Sequence, residues 1–129
     1  MAQLIGSVDP RGRPLVRVQG KSERLLVPID TGFNGDLILT SDAARLLGVE
    51  PGLGETEIEL ADGRIAHAFE TSALIDWFGE QRRIRVLVSD ARSVTRDDEP
   101  SGLLGTGLLA PHRLAIDFDT RTAVIESRE

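Results

Sequence analysis

The segment Leu25-Leu26-Val27-Pro28-Ile29-Asp30-Thr31-Gly32 drives an aliphatic strand straight into an acid, a hydroxyl and a glycine. An ionised carboxylate at the end of a buried strand needs hydrogen-bond donors close by. A glycine two residues further on lets backbone amides approach it without a Cβ in the way, and Thr31 adds a hydroxyl. The chemistry open to such a carboxylate is proton transfer. Taken alone, the tripeptide reads better as a strand-end turn, where Asp, Thr and Gly are all common. A second feature changes that balance: Gly102-Leu103-Leu104-Gly105-Thr106-Gly107-Leu108-Leu109, followed by a basic and apolar strand through Ile116.

Other chemistries find less support. His67 and His112 have no neighbouring His or Glu at metal-ligand spacing and read as structural, so no metal or cofactor is expected. The stretch 102–107 lacks the Lys-Ser/Thr of a phosphate loop and the Gly-x-Gly-x-x-Gly of a dinucleotide site. Ser, His and Asp are all present without a nucleophile-elbow pattern. Trp77 and Phe78, between Asp76 and Gly79, read as core packing or a turn rather than an exposed aromatic binding spot.

The elements that must position these residues are mainly strands. Apolar residues alternate, or come in short aliphatic runs cut by Gly, Pro and Asp. Strands are expected over 3–8, 14–19, 24–29, 37–40, 57–61, 64–75, 81–88, 113–118 and 122–126. One helix is expected over 42–47, capped by Thr40 or Ser41 and ended by Gly48, with a second, shorter one after Gly107. Asp62-Gly63 predicts a two-residue type I′ hairpin between Ala61 and Arg64, and Asp119-Thr120-Arg121 turns the last two strands. The charged stretch 89–101 reads as a loop too short to divide two domains, so residues 1–129 are expected to form one domain.

Composition bounds the rest. Fifteen Lys and Arg against 21 Asp and Glu leave a net charge of −6, which argues against a protein that tracks nucleic-acid phosphates. Arg82, Arg83 and Arg85 form a small basic cluster, expected on the solvated face of a strand. The absence of Cys removes disulfides, thiolate zinc sites and Cys nucleophiles. No apolar run approaches the ~20 residues that span a bilayer, and residues 1–20 hold no unbroken apolar segment; no membrane association and a cytoplasmic location are expected.

In order and spacing, the two motifs resemble the retroviral-type (retropepsin-like) single-domain aspartic proteases and their bacterial relatives. The likeness covers roughly residues 24–118. In that family an apolar strand ends in the catalytic Asp-Thr/Ser-Gly, a hairpin flap follows, and a late apolar pair plus Gly precedes a short helix. The resemblance implies an all-β fold with one or two short helices, a closed β-barrel that is half of a pepsin-like enzyme. It implies that Asp30 is the catalytic aspartate, that Thr31 knits the active-site loops together and that Gly32 lies behind the carboxylate. Leu103, Leu104 and Gly105 match the late motif: Leu103 and Gly105 as structural support, Leu104 also lining the substrate site with Phe33 and the hairpin tip Ala61, Asp62 and Gly63. Phe33 departs from the small residue usual there and fits the bacterial branch. The tip also lacks the glycine density of retroviral flaps.

Peptide hydrolysis by this chemistry takes two carboxylates sharing one proton, one accepting from the attacking water while the other donates to the carbonyl oxygen. Only one Asp-Thr-Gly is present. The resemblance therefore implies a homodimer in which a two-fold axis sets Asp30 against Asp30 of a second copy, acting on an extended peptide or protein without nucleic acid. The alternative is a non-catalytic module of the same fold that dimerises or binds peptides.

Overall fold

The computed structural model describes residues 2–49, 54–59, 63–90 and 102–128. Its strands are β1 (Gln3–Val8), β2 (Pro14–Gln19), β3 (Arg24–Pro28), β4 (Leu37–Leu39), β5 (Gly54–Glu59), β6 (Ile65–Trp77), β7 (Glu80–Val88), β8 (Gly102–Leu104), β9 (Arg113–Asp117) and β10 (Thr122–Glu126). Two short helices, α1 (Ser41–Leu46) and α2 (Thr106–Leu109), complete the described chain. Most of these elements follow from alternation: in β3, Leu25 and Val27 are buried and Leu26 is exposed, and in β10, Ala123 and Ile125 face inward. The three residues of β4 are buried on both faces, Leu37 and Leu39 in one apolar cluster and Ile38 in another, and within the sheet β4 lies between β7, which it meets in parallel, and β8, antiparallel.

The strands form one mixed sheet in the order β8-β4-β7-β6-β2-β1-β10-β9, with β3 on β2 and β5 on β6. The expected closed barrel is not what forms. β3 stops at Pro28 and the chain swings away at Asp30, so only Ile29 is left to meet β8, as a single parallel bridge to Leu104. A main core of Val18, Val27, Leu39, Ile75, Val86 and Leu108, among others, fills the space inside the curled sheet. A second, smaller cluster joins Ile38, Ala68 and Leu87.

α1 begins where expected. Thr40 Oγ1 accepts a hydrogen bond from the Ala43 amide at 3.2 Å, and Gly48 adopts φ +71° after the last turn. Asp90 fastens the same end, its carboxylate taking the Ser41 hydroxyl at 2.6 Å and the Ser41 amide at 2.9 Å. The Ser41 hydroxyl, then its amide, hold the Asp90 carboxyl below its usual range. A carboxylate whose folded value is depressed stabilises the fold above the ordinary value of ~3.9 and loses that contribution as pH falls through its lowered value. Asp90→Asn is therefore expected to lower the urea midpoint at pH 7 and to converge on the wild type at acid pH, where both side chains are neutral. Parallel denaturation curves at the two pH values check this.

Two hairpins are built on β6. β5 pairs with β6 so that Glu59 lies opposite Ile65, leaving residues 60–64 between them. The expected Asp62-Gly63 turn falls in this connection, only part of which is described. Gly63, at φ +85°, is described in it; Ala61 and Asp62 lie outside the described residues. The β6–β7 connection is the tight one: Trp77 pairs with Glu80, and Phe78 and Gly79 turn the chain at φ 57° and 83°. The loop expected over 89–101 lies outside the described residues from 91 onward.

Candidate active site

Asp30 stands where β3 gives way to a loop. The Ile29 side chain just before it is buried, while Asp30 is half-exposed. Its amide donates to the Leu104 carbonyl at 2.9 Å, fixing its backbone against β8. Its Oδ1 accepts the Gly32 amide at 2.9 Å, and its carbonyl accepts the Phe33 amide at 3.2 Å. The carboxylate is thus oriented by its own loop, as short acidic side chains at turns tend to be. A Cβ on Gly32 would lie 3.2 Å from Oδ1, a tight approach that a bare glycine avoids. Thr31 and Gly32 are exposed, and among the described residues Thr31 has no hydrogen-bond partner.

The late glycine segment grips this loop from the other side. The Thr106 amide donates to the Phe33 carbonyl at 2.8 Å and its hydroxyl to the same oxygen at 3.3 Å. The Gly107 amide donates to the Gly35 carbonyl at 3.0 Å, and the Gly105 amide to the Asp36 carbonyl at 3.0 Å. Contacts this dense require Gly105 to carry no side chain: a Cβ there would lie 2.5 Å from the Phe33 carbonyl oxygen and 2.6 Å from the Phe33 ring. Within one chain the loops are therefore joined by Thr106 and by backbone, not by Thr31.

Leu103 and Leu104 face opposite sides of β8. Neighbouring residues of a strand face opposite ways. Leu104 points into the main core with 0% exposure and cannot meet a substrate, which removes it from the lining. Leu103, half-buried, packs instead on the second cluster with Phe33 and Ile58. That cluster ties the Asp30 loop, through Phe33, to β5 and β6, the hairpin whose tip holds Gly63. The Phe33 ring lies over Gly35, where a Cβ would come 2.6 Å from Cζ, so the bulky residue is accommodated by missing side chains at Gly35 and Gly105.

The histidines stand apart from this loop. His67, on β6, meets Glu55 at 3.0 Å on an exposed face. His112 packs on Phe78 with ring centroids 4.9 Å apart and accepts the Trp77 indole N–H at 3.4 Å. Among the described residues no three His, Cys, Asp or Glu side chains group as a metal site.

No family model and no curated protein sequence matches the chain. Solved structures do. A retropepsin-like aspartic protease from Rickettsia conorii superposes with a TM-score of 0.68 over 95% of this chain and 89% of its own, at 19% identity. The EIAV protease, solved in complex with the inhibitor HBY-793, superposes with a TM-score of 0.59 over 78% of this chain and 88% of its own, at 26% identity. The chain has a retropepsin-like aspartic protease fold. The Asp30 loop and the glycine segment sit together by topology: β4 is paired with β8, which brings residues 30–36 beside 104–107. Two contributors escaped the sequence reading. Thr106 sits inside a glycine-rich stretch, and Asp36 in the short connection that leads from the Asp30-Thr31-Gly32 motif into β4. An acid placed directly before a fully apolar strand is the signal that could have found Asp36.

Proposed function

We propose that this chain is an aspartic endopeptidase that works as a homodimer. The observation that carries the reading is a single half-exposed Asp30 carboxylate, held by the Gly32 amide in a loop gripped from both sides, within a retropepsin-like fold. The 129 residues act as one domain and supply half of the site. A second copy, related by a two-fold axis, brings its own Asp30 face to face with the first. With one proton shared between the pair, one carboxylate takes a proton from water as that water adds to the scissile carbonyl, and the other protonates the carbonyl oxygen. On collapse of the tetrahedral intermediate the first carboxylate gives the proton it took from water to the leaving amine nitrogen, and the second recovers a proton from a hydroxyl of the intermediate as the new carboxyl group forms. The scheme uses no metal and no covalent enzyme intermediate.

Thr31, exposed and with no hydrogen-bond partner among the described residues, bonds across the two-fold axis to the other Asp30 loop in this reading. The β5–β6 hairpin serves as the flap, with residues 61–63 at its tip and an extended peptide pairing along the cleft beneath. Phe33 lines the floor, which favours apolar side chains around the cut. No helix among the described residues is long and apolar enough to cross a membrane; a cytoplasmic location is part of the proposal.

A dimeric site has a kinetic signature. Specific activity on a peptide mixture between pH 4 and 7 is expected to fall as the enzyme is diluted through its dimer dissociation constant, and to recover on concentration. Activity per chain that stays constant down to a verified monomer overturns the shared dyad. A folded dimer that cleaves nothing points to the peptide-binding module instead.

A further inference from the structure

The Asp30 loop ends at a second carboxylate that the proposed chemistry does not use. Asp36 is the last residue before β4, and its two ends do different work. Its carbonyl accepts the Gly105 amide at 3.0 Å, as described above. Its side chain reaches the opposite way, Oδ2 accepting the backbone amide of Arg85 on β7 at 3.1 Å. The parallel ladder between β4 and β7 starts one step later, with Leu37 opposite Val86. The Asp36 carboxylate therefore supplies an acceptor to β7 at the point where the chain turns into the loop and the regular ladder stops.

Gly107 is shaped around the same carboxylate. A Cβ at residue 107 would run into Asp36 Oδ1 and lie 2.9 Å from the Gly35 carbonyl carbon. Gly107 also donates its amide to the Gly35 carbonyl at 3.0 Å. Asp36 thus sits at the meeting point of three pieces: the loop that carries Asp30, the glycine segment that grips that loop, and β7. β7 runs antiparallel to β6 from Phe69 to Trp77, and β6 is the strand that continues into the β5–β6 hairpin.

We propose that Asp36 is a positioning residue: its carboxylate fastens the Asp30 loop to β7 and sets the height of that loop against the glycine segment. The proposal rests on the reading of Asp30 as the proteolytic carboxylate. Asp36 touches neither substrate nor the reacting atoms and acts only through the loop. A displacement of about 1 Å at a reacting group can cost about 10²-fold in rate, so a modest loosening is enough to register.

The test uses the full chain with Asp36→Ala and Asp36→Asn. Asp36→Ala is expected to fold and dimerise, to lose about 30-fold in kcat, and to change KM by less than about 2-fold, because the group moved is the proton-transferring one. Asp36→Asn keeps an oxygen for the Arg85 amide and is expected to return kcat to within about 3-fold of the wild type. Amide hydrogen exchange reads the same idea without activity: in Asp36→Ala, the amides of Arg85, Gly105 and Thr106 speed up by about 10-fold while those of Ile84 and Val86 do not. A kcat unchanged in Asp36→Ala, an equal loss in Asp36→Asn, or an Asp36→Ala chain that no longer folds each overturns the proposal. If the wild type cleaves nothing, or Asp30→Asn cleaves as well as the wild type, it is the protease reading that fails. Exchange then decides alone: acceleration confined to the Arg85, Gly105 and Thr106 amides upholds the positioning role, and uniform or absent acceleration overturns it.

Discussion

Asp30→Asn is expected to reduce peptide cleavage by about 10⁴-fold, at the upper end of what positioned acid–base groups contribute, while fold and dimer persist. Asn is nearly isosteric and retains an oxygen that can accept the Gly32 amide, so the loop bond at 2.9 Å is expected to survive. What it cannot do is exchange a proton with water at the scissile bond. The control is a denaturation midpoint and a sedimentation measurement on the same preparation. Mixing gives a sharper version. If each active unit needs two intact carboxylates, wild type equilibrated with excess variant loses activity as the square of the wild-type fraction, whereas independent monomers lose it in simple proportion. A linear loss would assign the chemistry to one chain. A variant that cleaves like the wild type would remove Asp30 from the chemistry altogether.

The parts of the site that were legible in the sequence are those written in local pattern. An aliphatic strand that ends in Asp30-Thr31-Gly32 and a glycine segment with an apolar pair are both short-range signals. β1, β2 and β10 likewise follow from alternation alone, and their bounds agree with the expected ones. Failures came where a distant partner decides. The strand β8 was hidden because only its pairing with β4 makes three residues a strand. Leu103 and Leu104 could not be sorted into face and core without knowing which side of that strand meets β4 and the Asp30 loop. The Phe78-Gly79 turn carries no Asn-Gly or Asp-Gly signature. A bulky residue at φ 57° costs about 1–2 kcal/mol, and it is held by two rings: that of the preceding Trp77 at 5.3 Å and that of the sequence-distant His112 at 4.9 Å between centroids. Asp36 belongs to the same class, since its partner amide lies 49 residues away in the chain.

Gly105→Ala is expected to be the most damaging single methyl added to this chain's site. The backbone at Gly105, φ −106° and ψ −178°, is one that any residue adopts, so the penalty is purely a matter of space. The new methyl would meet the Phe33 carbonyl oxygen at 2.5 Å and press on the Gly35 carbonyl oxygen as well. Those two oxygens are acceptors of the Thr106 and Gly107 amides. Relief by moving the loop therefore breaks bonds that hold it. Overpacking typically costs about 1–3 kcal/mol, and each weakened hydrogen bond adds about 1 kcal/mol. A loss of about 3–5 kcal/mol leaves a domain of ordinary stability folded but with a clearly lowered midpoint. Asp30 bonds to Leu104, the residue next to the substitution, so the same displacement reaches the carboxylate and is expected to remove about 10²-fold in kcat. Gly12→Ala separates the two effects. Gly12 has φ +83° and open space around it, so alanine there costs about 1–2 kcal/mol through backbone strain alone. Cleavage by Gly12→Ala is expected to match the wild type at temperatures where both are folded. Were both variants to lose kcat in proportion to their loss of stability, the activity would be tracking global unfolding, and the close approach at Gly105 would have no role in placing Asp30.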